Sequence, residues 1–185
     1  AAKAKLQNRQ GGVCAQVKIR IDQEAVLTRS AFRATLELAN NLPNASLSDV
    51  GFNVQIKTSN GQAADDKFNV QVTKLIGLSA IDGTGTIPAL STGGAQWTLI
   101  PRDTAAPTAD TVYTIGGTIS YRQSGTLFSI PVAPVQITVR PDAALHLKYF
   151  HERDVFSDDP HTEVIEPSIP YHLAVMVENK GAGAA

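Results

Sequence analysis

The chain has 185 residues, more than one typical domain of roughly 100–150 residues and less than two. Its 16 basic and 17 acidic residues nearly cancel, so there is no global positive charge to hold a nucleic acid, and no nucleic-acid partner is expected. Hydrophobic residues make up 43% of the chain without forming an 18-residue apolar run, which predicts a folded, soluble protein without a membrane span. The single cysteine, Cys14, excludes an intrachain disulfide.

Residues 1–12 are polar and cationic and lack the apolar core of a signal peptide, so they are predicted to be a linker. From Val13 to Val139 apolar and polar residues alternate, and no window of 12 or more residues shows a capped helical stripe. The alternation predicts seven strands, within residues 13–21, 31–39, 50–56, 67–75, 95–100, 112–121 and 126–139. Each strand is expected to have one solvent-facing side and one buried side. In the strand at 67–75 the buried side carries Phe68, Val70 and Val72.

The segments between these strands carry turn residues. Gln123–Thr126 is predicted to be a short turn that closes a hairpin, with a glycine at positive φ. Asp82–Gly85 and Ser91–Gly94 are predicted to be loops because they are rich in glycine and small polar residues. In the last strand, Pro131 and Pro134 indicate an edge or a bulge, since proline cannot donate to a ladder.

Seven strands over residues 13–140 without an intervening helix predict an all-β fold, an immunoglobulin-like (Ig-like) antiparallel β-sandwich, with a closed barrel as the open alternative. After residue 140 the pattern begins again, with strand-like segments at 145–150 and 170–179. The second of these aligns with the strand at 31–40 at an offset of 139 residues, so that Asn179 corresponds to Asn40. Residues 141–185 are therefore predicted to be a partial second Ig-like module with two strands.

The repeated strand runs from an aromatic residue to a terminal asparagine, as FRATLELANN at 32–41 and YHLAVMVEN at 171–179. In the first module it is followed by SDVGFNVQI at 48–56 and by an Asn-Gly turn at 60–61. This signature resembles the tandem Ig-like modules of cell-surface proteins, in particular the CARDB-like and NEW3-like β-sandwich repeats of large extracellular adhesins. The resemblance implies a spacer or adhesive role in a long exported chain at the cell surface, with no catalytic residues to carry over. The first module is longer than the usual repeat, with extra residues around 59–94.

The densest charge lies in HERDVFSDDPHTEVIEP at 151–167, which holds six of the 17 acidic residues. Calcium takes several oxygen ligands at about 2.3–2.6 Å, and a loop can bring carboxylates together on one ion. The candidate calcium ligands are Asp154, Asp158, Asp159 and Glu163. The open alternative is a solvated loop whose acids pair with nearby basic residues. The flanking His151 and His161 are better explained as exposed polar residues than as zinc ligands.

No arrangement in the sequence points to catalysis. A nucleophile needs a base that a third group orients, and neither a Gly-x-Ser-x-Gly elbow nor a His-Glu-x-x-His helix occurs. The paired carboxylates Asp65-Asp66 and Asp158-Asp159 lie in polar turns, where solvent favours ionisation. The chain is therefore predicted not to be an enzyme, and no cofactor other than the candidate calcium ion is expected.

Two hypotheses about function remain. The first is an extracellular structural or adhesive Ig-like module in a tandem array or filament, whose partners are other protein modules, identical subunits included. The alternative is a carbohydrate-binding β-sandwich, in which exposed Trp97, Tyr113 or Tyr121 would serve as platforms for sugar rings. The alternation places these three aromatic residues in the core instead. Asn44-Ala45-Ser46 is an N-glycosylation triplet in a predicted loop, which makes Asn44 a candidate glycan acceptor.

Overall fold

A computed structural model describes residues 17–152, 158–167 and 169–184, and it divides the chain into two compact units, 1–141 and 142–185. The described part of the first unit contains nine strands and two short 3₁₀ turns. The strands are β1 (Val17–Ile21), β2 (Ala25–Leu27), β3 (Phe32–Asn40), β4 (Leu47–Thr58), β5 (Phe68–Ile76), β6 (Asp82–Ile87), β7 (Ser91–Pro101), β8 (Thr111–Gln123) and β9 (Thr126–Arg140). The 3₁₀ turns are Asp65–Lys67 and Asp103–Ala105.

The nine strands form two sheets that pack face to face. Sheet one has the order β1-β3-β7-β5, and sheet two has the order β2-β9-β8-β4-β6. Their ladders are antiparallel except for the short parallel pairing of β2 with β9. The inner faces meet in one core, where the ring of Phe52 on β4 lies 5.3 Å from that of Trp97 on β7. The prediction of an all-β, Ig-like antiparallel sandwich is confirmed.

The alternating pattern of β3 shows how the sequence specifies this core. Phe32, Ala34, Leu36 and Leu38 are buried, while the residues between them face outward or are only partly covered. Successive side chains of a strand point to opposite faces, so one apolar face per strand is enough to build a sandwich interior. The same rule buries Trp97, Tyr113 and Tyr121. Their predicted place in the core is confirmed.

Two glycine-rich segments predicted to be loops are strands, and those two predictions are wrong. Asp82–Gly85 belongs to β6, and Ser91–Gly94 forms the first four residues of β7. Gly85 and Gly93 lie where backbone or core atoms approach closely, whereas Gly83 has open space around it and a positive φ of 98°. A Cβ on Gly85 would lie 1.9 Å from the carbonyl oxygen of Ala80, which no real side chain tolerates.

The predicted features of the β8–β9 hairpin are present in the structure. Ser124 and Gly125 form its two-residue turn with φ angles of 48° and 83°, the positive values that a type I′ turn requires. The register of β9 against β8 shifts by one residue at Ala133-Pro134, which is a β-bulge. Because β2 pairs only with Thr138–Arg140, the rest of β9, including both prolines, has no further strand paired with it among the described residues.

The second unit contains a two-stranded antiparallel sheet made of β10 (Leu145–His151) and β11 (Leu173–Asn179). Its register places Leu147 opposite Val177 and Tyr149 opposite Val175. Isolated two-stranded sheets are marginal in water, so the stability of this unit depends on what covers its apolar residues.

Candidate functional site

The acidic loop of the second unit is held by hydrogen bonds between its own residues. Asp159 donates its backbone N–H to Glu166 Oε2 (3.0 Å), and the Thr162 hydroxyl donates to Glu166 Oε1 (2.6 Å). Asp158 Oδ1 accepts the backbone N–H of Glu166 (3.2 Å). The Thr162 hydroxyl, followed by the Asp159 N–H, lowers the pKa of the Glu166 carboxyl. Glu166, rather than a predicted calcium ligand, is thus the acceptor at the centre of this loop.

The structure describes three of the four predicted calcium ligands. Asp154 lies outside the described residues, while Asp158, Asp159 and Glu163 are exposed on the loop. Asp159 Oδ1 accepts the backbone N–H of His161 (3.0 Å), so part of its ligand capacity is already used. Among the described residues no three histidine, cysteine, aspartate or glutamate side chains come together as a metal site. The calcium site stays a prediction.

The histidines beside the acidic loop make contacts of their own. His172 Nδ1 lies 2.7 Å from Glu152 Oε1, and His151 Nδ1 lies 2.8 Å from the carbonyl oxygen of Glu152. His161 is exposed at the turn of the loop. In each pair the histidine contacts a single oxygen atom, as exposed polar side chains commonly do.

One of the paired carboxylates named in the sequence has a structural role. Asp65 Oδ1 accepts the backbone N–H of Ile56 on β4 (2.9 Å), and Ala64 donates its N–H to the carbonyl oxygen of Ile56 (2.8 Å). The turn at 63–65 therefore continues the edge of β4 beyond its pairing with β6, where no described strand lies beside it. Asp66, the other member of the pair, is exposed. Asp65 thus extends the sheet edge, and the two carboxylates do not form a joint site.

Asn44 lies in the loop between β3 and β4. Asn44 and Ser46, the first and third residues of the glycosylation triplet, are both exposed. A glycan acceptor has to be reachable from solvent, and this loop meets that condition.

The β10–β11 sheet has an exposed apolar face, which we call the hairpin face. Residues directly opposite each other on paired strands share a face, so the register determines its members. The apolar members of the hairpin face are Leu145, Leu147, Tyr149, Leu173, Val175 and Val177, which are 49–65% exposed, and His151 and Asn179 lie on the same face at its two ends. The opposite face is more polar, and there Lys148 Nζ lies 3.8 Å from a carboxylate oxygen of Glu178. Contiguous exposed apolar faces are typical of surfaces that bind another protein segment.

Asn40 and Asn179 make equivalent bonds at the ends of β3 and β11. Asn40 Oδ1 accepts the N–H of Leu42 (3.2 Å), two residues on, and Asn179 Oδ1 accepts the N–H of Gly181 (2.9 Å), also two residues on. Each side-chain amide also donates to a carbonyl further along the turn, that of Ala45 (2.9 Å) and that of Gly183 (2.6 Å), respectively. Both asparagines thus organise the turn that follows their strand.

Comparisons with solved structures find β-sandwich domains of several kinds. The periplasmic chaperone SfaE is 11% identical over 67% of this chain and 58% of its own, with a TM-score of 0.40. A cohesin module of a Clostridium perfringens family 33 glycoside hydrolase is 12% identical over 69% of this chain and 98% of its own (TM-score 0.40). AvmM, which catalyses macrocyclization in alchivemycin A biosynthesis, is 10% identical over 69% of this chain and 88% of its own (TM-score 0.43).

These likenesses carry no argument about function, because every TM-score is below 0.5 and the sequence identities are near one in ten. The chain spans little more than half the length of the chaperone it matches. No protein-family model matches the chain, and no curated protein matches it. The resemblance to CARDB-like and NEW3-like repeats therefore stays a prediction. Neither 3₁₀ turn in the described residues is long or apolar enough to cross a membrane.

Proposed function

We propose that this chain is a non-catalytic, extracellular structural or adhesive Ig-like protein, built as a tandem array in which residues 141–185 open a second sandwich. Its work is done by surfaces that bind other protein modules. The observation that carries the proposal is the equivalence of Asn40 and Asn179, which close the same kind of turn after strands of matching pattern.

The strand pairing supports the same equivalence. In the first unit β1 pairs antiparallel with β3, and in the second β10 pairs antiparallel with β11. The hairpin face then corresponds to the inner face of sheet one, which sheet two covers in the first unit. Leu36 and Leu38 are buried there, whereas Val175 and Val177, their counterparts at the offset of 139 residues, are exposed. The covering that the hairpin face requires is thus a second β-sheet.

The carbohydrate-binding alternative loses its candidate platforms. Trp97 is 3% exposed, and neither Tyr113 nor Tyr121 reaches the surface. Stacking on a sugar ring needs an open aromatic face. We expect Trp97 to emit at the short wavelengths of a buried indole and to show no change when soluble polysaccharides are added. A red-shifted emission that responds to a polysaccharide would favour the alternative.

The extracellular assignment is tested by protease treatment of intact source cells. An array displayed outside the cell is cut by added protease while a cytoplasmic marker stays whole. Loss of the protein only after lysis would contradict the extracellular role.

In a eukaryotic secretory host, Asn44 is the proposed glycan acceptor. A glycosidase should then lower the mass of the protein by the mass of the glycan, and Asn44→Gln should produce the same decrease.

A further inference from the structure

The Asp159–Pro160 peptide bond lies in an exposed turn between β10 and β11, and the sequence contains no other Asp-Pro pair. Two chemical properties set such a bond apart. The side-chain carboxylate of an aspartate can close a five-membered ring onto the carbonyl carbon of its own residue. The proline nitrogen, which carries no hydrogen, is more basic than other peptide nitrogens and leaves more easily once it is protonated. This bond is therefore open to attack from within the chain.

The turn holds three groups of Asp159 in place. The backbone N–H donates to Glu166 Oε2 (3.0 Å), and Asp159 Oδ1 accepts the backbone N–H of His161 (3.0 Å). The Asp159 carbonyl oxygen accepts the backbone N–H of Thr162 (3.2 Å). The carboxylate and the carbonyl that would react are therefore both anchored to the same turn. Fixed geometry of this kind supplies much of the acceleration of intramolecular reactions.

One oxygen of the Asp159 carboxylate remains available as a nucleophile. Oδ1 is oriented by the His161 N–H, whereas Oδ2 has no hydrogen bond to any described residue. Asp159 and Pro160 are both exposed, so water reaches the bond and any product formed there. The anchored oxygen thus positions the carboxylate, and the free oxygen can attack.

The Asp159 carbonyl oxygen has two donor groups close to it, and both belong to Thr162. The Thr162 N–H and the Thr162 hydroxyl each lie 3.2 Å from this oxygen, measured between the heavy atoms. In the resting turn the single hydroxyl proton is directed at Glu166 Oε1, 2.6 Å away. When attack makes the carbonyl oxygen negative, that proton turns toward it, because hydrogen bonds to an ionised acceptor are stronger. Two donors on the oxygen that becomes negative are the arrangement of an oxyanion hole.

We propose that the Asp159–Pro160 bond is a self-cleavage site. Asp159 Oδ2 forms a bond to the carbonyl carbon of Asp159, and the bond from that carbon to the Pro160 nitrogen breaks as the nitrogen takes a proton from the solvent. The Asp159 end becomes a cyclic anhydride, which one water molecule opens to two carboxyl groups. The reaction takes place once per chain, so it is a modification and not enzymatic turnover. It goes beyond the proposed function and does not depend on it.

The cut falls between the two strands of the second unit. β10 ends at His151 and β11 begins at Leu173, so β10 remains on the fragment that ends at residue 159 and β11 on the fragment that begins at residue 160. After cleavage the two fragments are joined only by the pairing of β10 with β11. Self-cleavage would thus replace a covalent link in the chain by a noncovalent one.

The test follows cleavage of the purified chain by mass spectrometry under denaturing conditions. The chain is incubated at pH 5 with protease inhibitors and with a chelator, so that no calcium ion occupies the carboxylates. We expect fragments 1–159 and 160–185, formed at a first-order rate that does not depend on protein concentration. Added hydroxylamine should capture part of the anhydride as a hydroxamate at Asp159. In urea that unfolds the chain, the same bond should break about tenfold more slowly or less, because the Thr162 donors are lost.

Four variants separate the proposed chemistry from the general lability of an Asp-Pro bond. Asp159→Ala removes the nucleophile and should abolish cleavage. Thr162→Val removes the hydroxyl donor and should slow cleavage about tenfold or more, while Thr162→Ser should restore the wild-type rate. Ile165→Ala is the matched control, because this side chain is 83% exposed in the same loop and makes no hydrogen bond, and its rate should equal that of the wild type.

Three results would overturn the inference. The first is an Asp159–Pro160 bond that stays intact through the incubation. The second is a rate in urea equal to that of the folded chain, which would mean that the turn contributes nothing. The third is a Thr162→Val variant that cleaves as fast as the wild type.

Discussion

Tyr113 and Tyr121 lie eight residues apart on β8, and both point into the core, yet only the Tyr113 hydroxyl has a hydrogen-bond partner. Tyr113 donates to the carbonyl oxygen of Ala105 (2.6 Å), whereas the buried Tyr121 hydroxyl has none among the described residues. Tyr121 instead stacks on Phe128, with ring centroids 5.6 Å apart. The two residues are therefore similar in burial and opposite in hydrogen bonding.

This contrast predicts different effects of the same substitution. Tyr113→Phe leaves the buried Ala105 carbonyl without its donor and should lower the free energy of unfolding by about 1–3 kcal/mol. Tyr121→Phe removes a buried hydroxyl that bonds to no described residue, so it should be neutral or stabilising. Urea unfolding of the two variants, followed by Trp97 fluorescence, checks both. Equal losses would contradict the assigned hydrogen bond.

The same two residues predict a loss of stability at high pH. Burial, and for Tyr113 also the Asp66 carboxylate, raises the pKa of each hydroxyl above its ordinary value of 10.0. A raised folded-state pKa contributes stability that is fully present below pH 10 and is lost as the pH rises through the folded value. Urea unfolding at pH 8 and pH 11 should show this loss, and a Tyr113→Phe, Tyr121→Phe double variant should show less of it. If the wild type and the double variant lost equal stability between pH 8 and pH 11, ionisation of these two hydroxyls would not be the cause.

The buried amide of Asn40 predicts a large local cost of substitution. Asn40 is 2% exposed and bonds to the N–H of Leu42 and the carbonyls of Ala45 and Pro88. Asn40→Ala should destabilise the first unit by about 2–4 kcal/mol, because these backbone groups lose their partner. The exposed Asn44→Ala in the same loop is the matched control and should stay within about 0.5 kcal/mol of wild type. Calorimetric melting of both variants measures this difference in stability, and similar melting curves for the two would contradict the role of Asn40.

The predicted calcium site leads to a prediction about thermal stability. An ion bound by Asp154, Asp158, Asp159 and Glu163 should raise the melting temperature of the second unit in millimolar calcium, and a chelator should reverse the shift. Asp158→Asn with Asp159→Asn should abolish the effect, with Gln62→Lys as a variant outside the loop. Melting curves that neither calcium nor chelator changes would contradict the calcium site and favour the alternative, in which the acidic segment is a solvated loop.

Much of the fold was predictable because alternation reports the buried face of a strand. β3 and β8 follow it closely, and their core residues were predicted correctly. Alternation does not report whether the opposite sheet covers that face, so it did not predict that Val70 and Val72 on β5, the last strand of sheet one, are 39% and 43% exposed. β2 was not predicted because three residues are too few to show the two-residue alternation of a strand. β6 was not predicted because its glycines are typical of a turn.

The candidate sites were less predictable, because they depend on contacts that spacing does not encode. The acidic cluster was visible in the sequence, but the position of Glu166 as its central acceptor depends on the turn formed by Thr162. The asparagine repeat was visible as a pattern, while its meaning became clear only from the bonds that Asn40 and Asn179 make.

The central proposal is that residues 141–185 begin a second sandwich, and that no described strand of the second unit covers its hairpin face. Amide hydrogen exchange of this chain, at a concentration where it is monomeric, tests the claim most directly. We expect β3, β7 and β8 to be strongly protected and β10 and β11 to exchange much faster and to be cut first by protease, as a two-stranded sheet with an open apolar face should. Protection of β10 and β11 equal to that of β3 in a monomer would contradict the claim, because something within residues 1–185 would then cover the hairpin face.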